Sequence, residues 1–125
     1  MRLIPGLLLA VVVMNVWAAS DSSTTEQKLL DAIKHERRST ADTARDANRK
    51  PLETLEFFQL RDDMKVLELL PGGGWYTKIL APTLEAKGKL YISLGAERIG
   101  EALKGQPGFD SLEVIPFDRA NFSRQ

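Results

Sequence analysis

Residues 66–80 read VLELLPGGGWYTKIL: an apolar run carrying one carboxylate, then a proline, three consecutive glycines, two aromatic residues and an apolar tail. VLELL has the length and composition of a strand, and the later runs KLYISL (Lys89 to Leu94) and LEVIPF (Leu112 to Phe117) match it. Between the first two runs, Trp75 to Ala86 has the length of a helix and is closed by Lys87 and Gly88. Between the second and third, Glu97 to Lys104 is helix-like and is closed by Gly105. The order strand, helix, strand, helix, strand predicts an α/β unit over residues 65–125, with three parallel strands joined by right-handed crossovers.

Ahead of it lies a helical lead-in over residues 24–60. Leu29, Leu30 and Ile33 recur at helical spacing between Thr25 and Arg38, with Thr24 or Thr25 as the cap and Gln27 completing a capping box with Thr24. In STADTARDANRKP, Asp42, Arg45, Asp46 and Arg49 recur at intervals of three and four, which predicts a solvated helix face. Pro51 suits the first position of another helix, with Leu52, Leu55, Phe58 and Phe57 turned inward.

Export is predicted by MRLIPGLLLAVVVMNVWAAS, where Arg2 precedes an apolar segment that ends in small residues. Cleavage after Ala18, with Val16 three positions before the cut, divides the chain into a signal peptide (1–18) and a domain (19–125), placed in the periplasm or secreted. The apolar run is interrupted by Pro5, Gly6 and Asn15, and it falls short of the roughly 20 residues of a spanning helix. No membrane association is therefore expected once the signal is removed. The chain has no cysteine, so disulfides and thiolate chemistry are excluded, and packing must supply its stability. Seventeen basic residues balance seventeen acidic ones, which gives no field for nucleic acid. His35 is the only histidine and has no partners for a metal site.

A glycine-rich turn after a strand lets a ligand approach backbone, and in open α/β sheets ligands sit at the carboxyl ends of strands. The same glycines also suit a tight turn or close helix packing. A mononucleotide phosphate loop is excluded, since no suitably placed lysine follows Gly74. In the dinucleotide pattern GxGxxG, Gly72 and Gly74 fit but Thr77 stands at the third glycine. Glu68 would repel a pyrophosphate, whereas it suits an ammonium, a sulfonium or hydroxyl groups. S-adenosylmethionine carries all three. The alternative for Glu68 is a strand residue pointing to solvent.

VLELLPGGGWYTKILAP resembles the first motif of class I S-adenosylmethionine-dependent methyltransferases, and in particular an exported family of predicted methyltransferases with PGGGWYT after the first strand. ARDANRKPLETLEFFQLRDDMKVLEL is similar to that family's lead-in and GKLYISL to its second strand. The resemblance implies a Rossmann-like methyltransferase sheet of which this sequence spans the first half. It implies S-adenosylmethionine as cofactor, held by Glu68 and the loop Pro71, Gly72, Gly73, Gly74, Trp75 and Tyr76. Asp118, just past the third strand, is where an acid would meet adenine, although Asp also serves there as a turn residue.

Two positions depart from the wider class. Leu70 stands at the first glycine of its loop, and Leu94 stands where an acid would bind ribose, with Glu97 the nearest substitute. Trp75 and Tyr76 either stack on the ligand or fill the base of the loop. Arg45 and Arg49 are placed to reach a ligand carboxylate from the lead-in. The second functional class is an interaction module without catalysis, in which a second chain completes the sheet along the edge at Val66 to Leu70. Dinucleotide-dependent oxidation is disfavoured by Thr77 and Leu94.

Overall fold

The computed structural model describes residues 17–118, with side chains from residue 24 onward. All but the last two residues of the predicted signal, and the chain after Asp118, lie outside the described residues. Three parallel strands form one sheet in the order β1 (Lys65–Leu69), β2 (Lys89–Ser93), β3 (Leu112–Val114). Val66 pairs with Leu90 and Glu68 with Ile92, while Leu90 pairs with Leu112 and Ile92 with Val114. The alternation of strand side chains puts this set on one face. Six helices accompany the sheet among the described residues: α1 (Trp17–Lys34), α2 (Thr40–Thr43), α3 (Asp46–Arg49), α4 (Pro51–Phe57), α5 (Thr77–Leu84) and α6 (Glu97–Leu103).

The core lies between that face and the helices. Leu90 and Ile92 of central β2 are fully buried with Ile79 and Leu84 of α5 and Leu29 of α1; Leu55 of α4 is buried beside them, and Ile99 and Leu103 close the β3 end from α6. The other face carries Leu67 and Leu69, each 54% exposed, and a Lys89–Glu113 ion pair at 3.3 Å. Among the described residues β1 is thus an edge strand covered on one side only, and β2 alone is paired on both flanks.

The lead-in differs from its sequence pattern in several places. Helix α1 runs through Thr24 and Thr25, so neither is a cap. No glycine or proline stands between Trp17 and Lys34 to stop a helix. Thr25 is buried instead, and its hydroxyl accepts from the Asp62 amide at 3.1 Å. The helix ends at Lys34 rather than Arg38. His35 Nδ1 accepts from the backbone and side chain of Arg37, and Arg38 turns back to donate to the Ile33 carbonyl at 2.8 Å.

Pro51 does start α4, after Lys50 in the left-handed region. Phe57 and Phe58, read as inward-facing, are 81% and 69% exposed and pack edge-to-face on each other. The cause is the way α4 stops. Gln59 takes a φ of 55°, its amide donates to the Glu56 carbonyl, and the Leu60 amide donates to Leu55. This is a Schellman ending, and it returns Leu60 to the core in place of Phe58. Strand β3 is shorter than LEVIPF. Ile115 still donates to the Ile92 carbonyl at 2.8 Å, but Pro116 has no N–H to continue the ladder.

Candidate functional site

The carboxyl end of β1 leads into a turn built on three residues of positive φ: Leu70 (56°), Gly72 (56°) and Gly74 (80°). Pro71 is buried between them, and its carbonyl accepts from the Gly74 amide at 2.8 Å. The glycines differ in what demands them. A Cβ on Gly74 would lie 2.9 Å from Cδ1 and Cγ1 of Ile99, so packing and backbone conformation both require glycine there. Gly72 needs only its φ. Gly73 lies outside the left-handed range, and a Cβ on it would meet nothing within 4 Å. The fold gives no reason for glycine at that position.

Glu68 points to the covered face beside Ile92 and is only partly exposed, so the solvent-facing reading of this residue is overturned. The Thr77 hydroxyl donates to Glu68 Oε2 at 2.6 Å, which explains a threonine at the position of a third glycine. Burial raises the carboxyl's pKa, and the Thr77 hydroxyl and amide offset that only in part.

Trp75 is 4% exposed and fills the base of the loop. Its indole N–H donates to the Asp42 carbonyl at 2.8 Å, and the Tyr76 ring meets it edge-on at 4.6 Å. The Arg49 guanidinium stands over the Trp75 ring at 4.7 Å and Arg38 at 5.4 Å. Lys78 of α5 reaches Asp42 at 2.6 Å, and Arg38 grips Asp46 through two hydrogen bonds of 2.7 and 2.6 Å. Asp42 and Asp46 therefore do not form the solvated face read from their spacing. Burial opposes ionisation of Asp42, but Lys78 and the Ser39 backbone and hydroxyl together outweigh it and hold the carboxyl below its ordinary value. The visible signal was STAD at residues 39–42, a capping box in which Ser39 and Asp42 exchange hydrogen bonds of 2.9 and 3.1 Å.

These elements enclose a cavity of about 420 Å³. Glu68, Leu69 and Leu70 line it from the strand, Pro71, Gly72, Gly73, Trp75 and Tyr76 from the loop, and Asp42, Arg45 and Arg49 from the lead-in. The volume falls within the roughly 300–1,000 Å³ of small-molecule sites. Seven of the eight residues singled out for the cofactor are brought together here: six line the cavity, and Gly74 is the packed glycine beneath it. Asp118 is not among the lining residues; it is exposed, one residue past Phe117. Phe117 belongs to a separate apolar pocket of about 300 Å³ with Leu70, Leu94 and Gly95, across the ends of the strands. Leu94 also holds a φ of 61°, and Glu97 is exposed in the first turn of α6.

Another cavity, of about 370 Å³, lies between α1 and the end of α4, lined by Thr25, Leu29 and Leu60 among others. It contains no glycine loop. Among the described residues no cluster of acids and histidine is arranged to hold a metal, and no helix is long and apolar enough to cross a membrane. No protein-family model, curated protein or solved structure matches the chain.

The raised pKa of Glu68 has a consequence for stability. Where the folded pKa exceeds the unfolded one, the fold binds more protons, so ionisation weakens it above the folded pKa. Glu68→Gln is expected to raise the urea midpoint at neutral pH. That advantage should shrink as pH falls through the raised pKa towards the ordinary value of 4.5. Paired urea titrations across this range check it; a gap that stays constant or reverses contradicts the burial of a charged Glu68.

Proposed function

We propose that the cavity at the glycine loop binds a ligand of the S-adenosylmethionine type, as in the class I methyltransferases that the loop resembles, and that the sheet is a Rossmann-like one of that kind. The observation that carries this reading is the pairing of Gly73 with Glu68. One is a glycine that the fold does not require, open to the cavity, and the other is a half-buried acid at the end of the adjoining strand. A backbone without a side chain admits close approach, and a carboxylate in a low-dielectric wall favours a cation or hydroxyl donors.

The rivals fare worse on the same residues. A phosphate-bearing nucleotide would meet Glu68 at the loop, and the one lysine nearby, Lys78, is committed to Asp42. A dinucleotide would need close packing at Thr77, whose hydroxyl is committed to Glu68.

When bound, S-adenosylmethionine supplies a methyl carbon already activated by its sulfonium, so the protein's part is alignment and exclusion of water. In this chain Glu68 would orient the ligand's cationic or hydroxyl groups, Gly72 and Gly73 would let it lie against backbone, and Tyr76 would form a side wall. No residue is assigned as a general base. The methyl acceptor is a nucleophile brought to this opening.

Isothermal titration calorimetry with S-adenosylhomocysteine tests the proposal. The full chain is expected to bind it, and Gly73→Val to keep the wild-type thermal midpoint while weakening binding about tenfold or more, a loss of roughly 1.4 kcal/mol or greater. No heat from a folded wild type, or unchanged affinity in the variant, defeats it.

A second reading is favoured by β1. Its Leu67 and Leu69 are 54% exposed and the adjoining Leu70 is 75% exposed, on a strand whose outer edge is unpaired among the described residues. We infer that this edge pairs with a second copy of the chain, since a twofold axis would continue the sheet through β1. Sedimentation should find a dimer that dissociates on dilution and a monomer for the double variant Leu67→Lys, Leu69→Lys. A wild-type monomer at all concentrations rules this out.

A further inference from the structure

We propose that Arg45 and Arg49 form a carboxylate-binding end of the glycine-loop cavity, so that the ligand presents a carboxylate there and its cation or hydroxyls to Glu68. The inference rests on the binding reading above and specifies it: an amino-acid conjugate of adenosine, rather than a bare nucleoside, is the class of ligand that fits both ends.

The allocation of charge in the lead-in carries the proposal. The aspartates of α2 and α3 are each satisfied by other cations, Asp42 by Lys78 at 2.6 Å and Asp46 by the buried guanidinium of Arg38. Arg45 and Arg49 make no ion pair among the described residues, yet both line the cavity. They are one helical turn apart, with the Arg49 amide donating to the Arg45 carbonyl at 3.0 Å, so their side chains rise from the same side of α3.

Arg49 is also positioned in advance. Its guanidinium lies over the Trp75 ring at 4.7 Å, and Trp75 is itself fixed by its hydrogen bond to the Asp42 carbonyl. A guanidinium held over a ring keeps N–H donors that the ring does not use, and its fork matches the two oxygens of a carboxylate. The cavity thus has one acid on its strand wall and two uncommitted guanidinium groups on its lead-in wall, while its other acid, Asp42, is neutralised by Lys78. A ligand with only a cation would leave both arginines unanswered. A phosphate ester would satisfy the arginines but bring negative charge towards Glu68.

Calorimetry of the full chain with three probes separates the cases: S-adenosylhomocysteine, its decarboxylated analogue, and ADP. Wild type should bind S-adenosylhomocysteine about tenfold or more tightly than the analogue, as expected for charge-assisted bidentate bonds. The double variant Arg45→Gln, Arg49→Gln should lose that preference while binding the analogue as wild type does. Arg45→Gln alone, at a residue with no ring contact, should lose part of it and serves if the double variant unfolds. Equal affinity of wild type for the two sulfur compounds, a preference retained in the variants, or tighter binding of ADP overturns the carboxylate assignment while leaving adenosyl binding in place. A folded wild type that binds neither sulfur compound overturns both readings.

Discussion

The site depends on how Trp75 is held. This one side chain belongs to the glycine loop but hydrogen-bonds to the backbone of α2 and lies under guanidinium groups from α3 and from the turn after α1. It joins α2 and α3 to the loop, while α1 and α4 are held by Leu29 and Leu55 in the core. The Lys78–Asp42 pair, with side chains only 16% and 13% exposed, repeats the tether from the first turn of α5. An ion pair so shielded is poorly screened, and loss of either partner would strand a charge. Loop, helix α5 and lead-in are consequently fixed to one another around the cavity.

Conformational cost is concentrated at the same place. Leu70 and Leu94 end successive strands in the left-handed region, where a residue with a Cβ is disfavoured by about 1–2 kcal/mol. Glu68 is kept in a partly buried setting that pushes its pKa up. None of these features helps the sheet to form. They are tolerated because Ile92, Leu90, Ile79 and Leu84 supply a fully buried core directly behind them. Strain gathered at strand ends beside an open glycine supports the binding proposal.

Much of the fold was legible in the sequence because it rests on local signals. The change of period at Lys65, the glycine stop at Gly105 and Pro51 at a helix start each fix a boundary by short-range chemistry, and the three strands follow; the helix read as Trp75 to Ala86 instead spans Thr77–Leu84, and Gly88 is required not as its stop but by the close approach of the Met64 and Asp62 carbonyls. What remained hidden depends on distant partners. The inward reading of Phe58 failed because a Schellman ending at Gln59, a residue other than glycine, rotates the chain out of its helical period. The solvated reading of Asp42 and Asp46 failed because Lys78 and Arg38 come from other elements. PGGGW marked the loop that lines the cavity. The division of labour among its glycines was not, since it is set by Ile99 packing on Gly74 and open space at Gly73.

The most direct test of a ligand at this loop is residue-resolved. Titration of the isotopically labelled full chain with S-adenosylhomocysteine, followed by amide and indole nuclear magnetic resonance shifts, should move Gly72, Gly73, Gly74 and the Trp75 indole along one saturation curve. The account is contradicted if these signals stay fixed at saturating ligand, or if the only signals to move belong to Leu29, Leu60 and their neighbours in the cavity between α1 and α4.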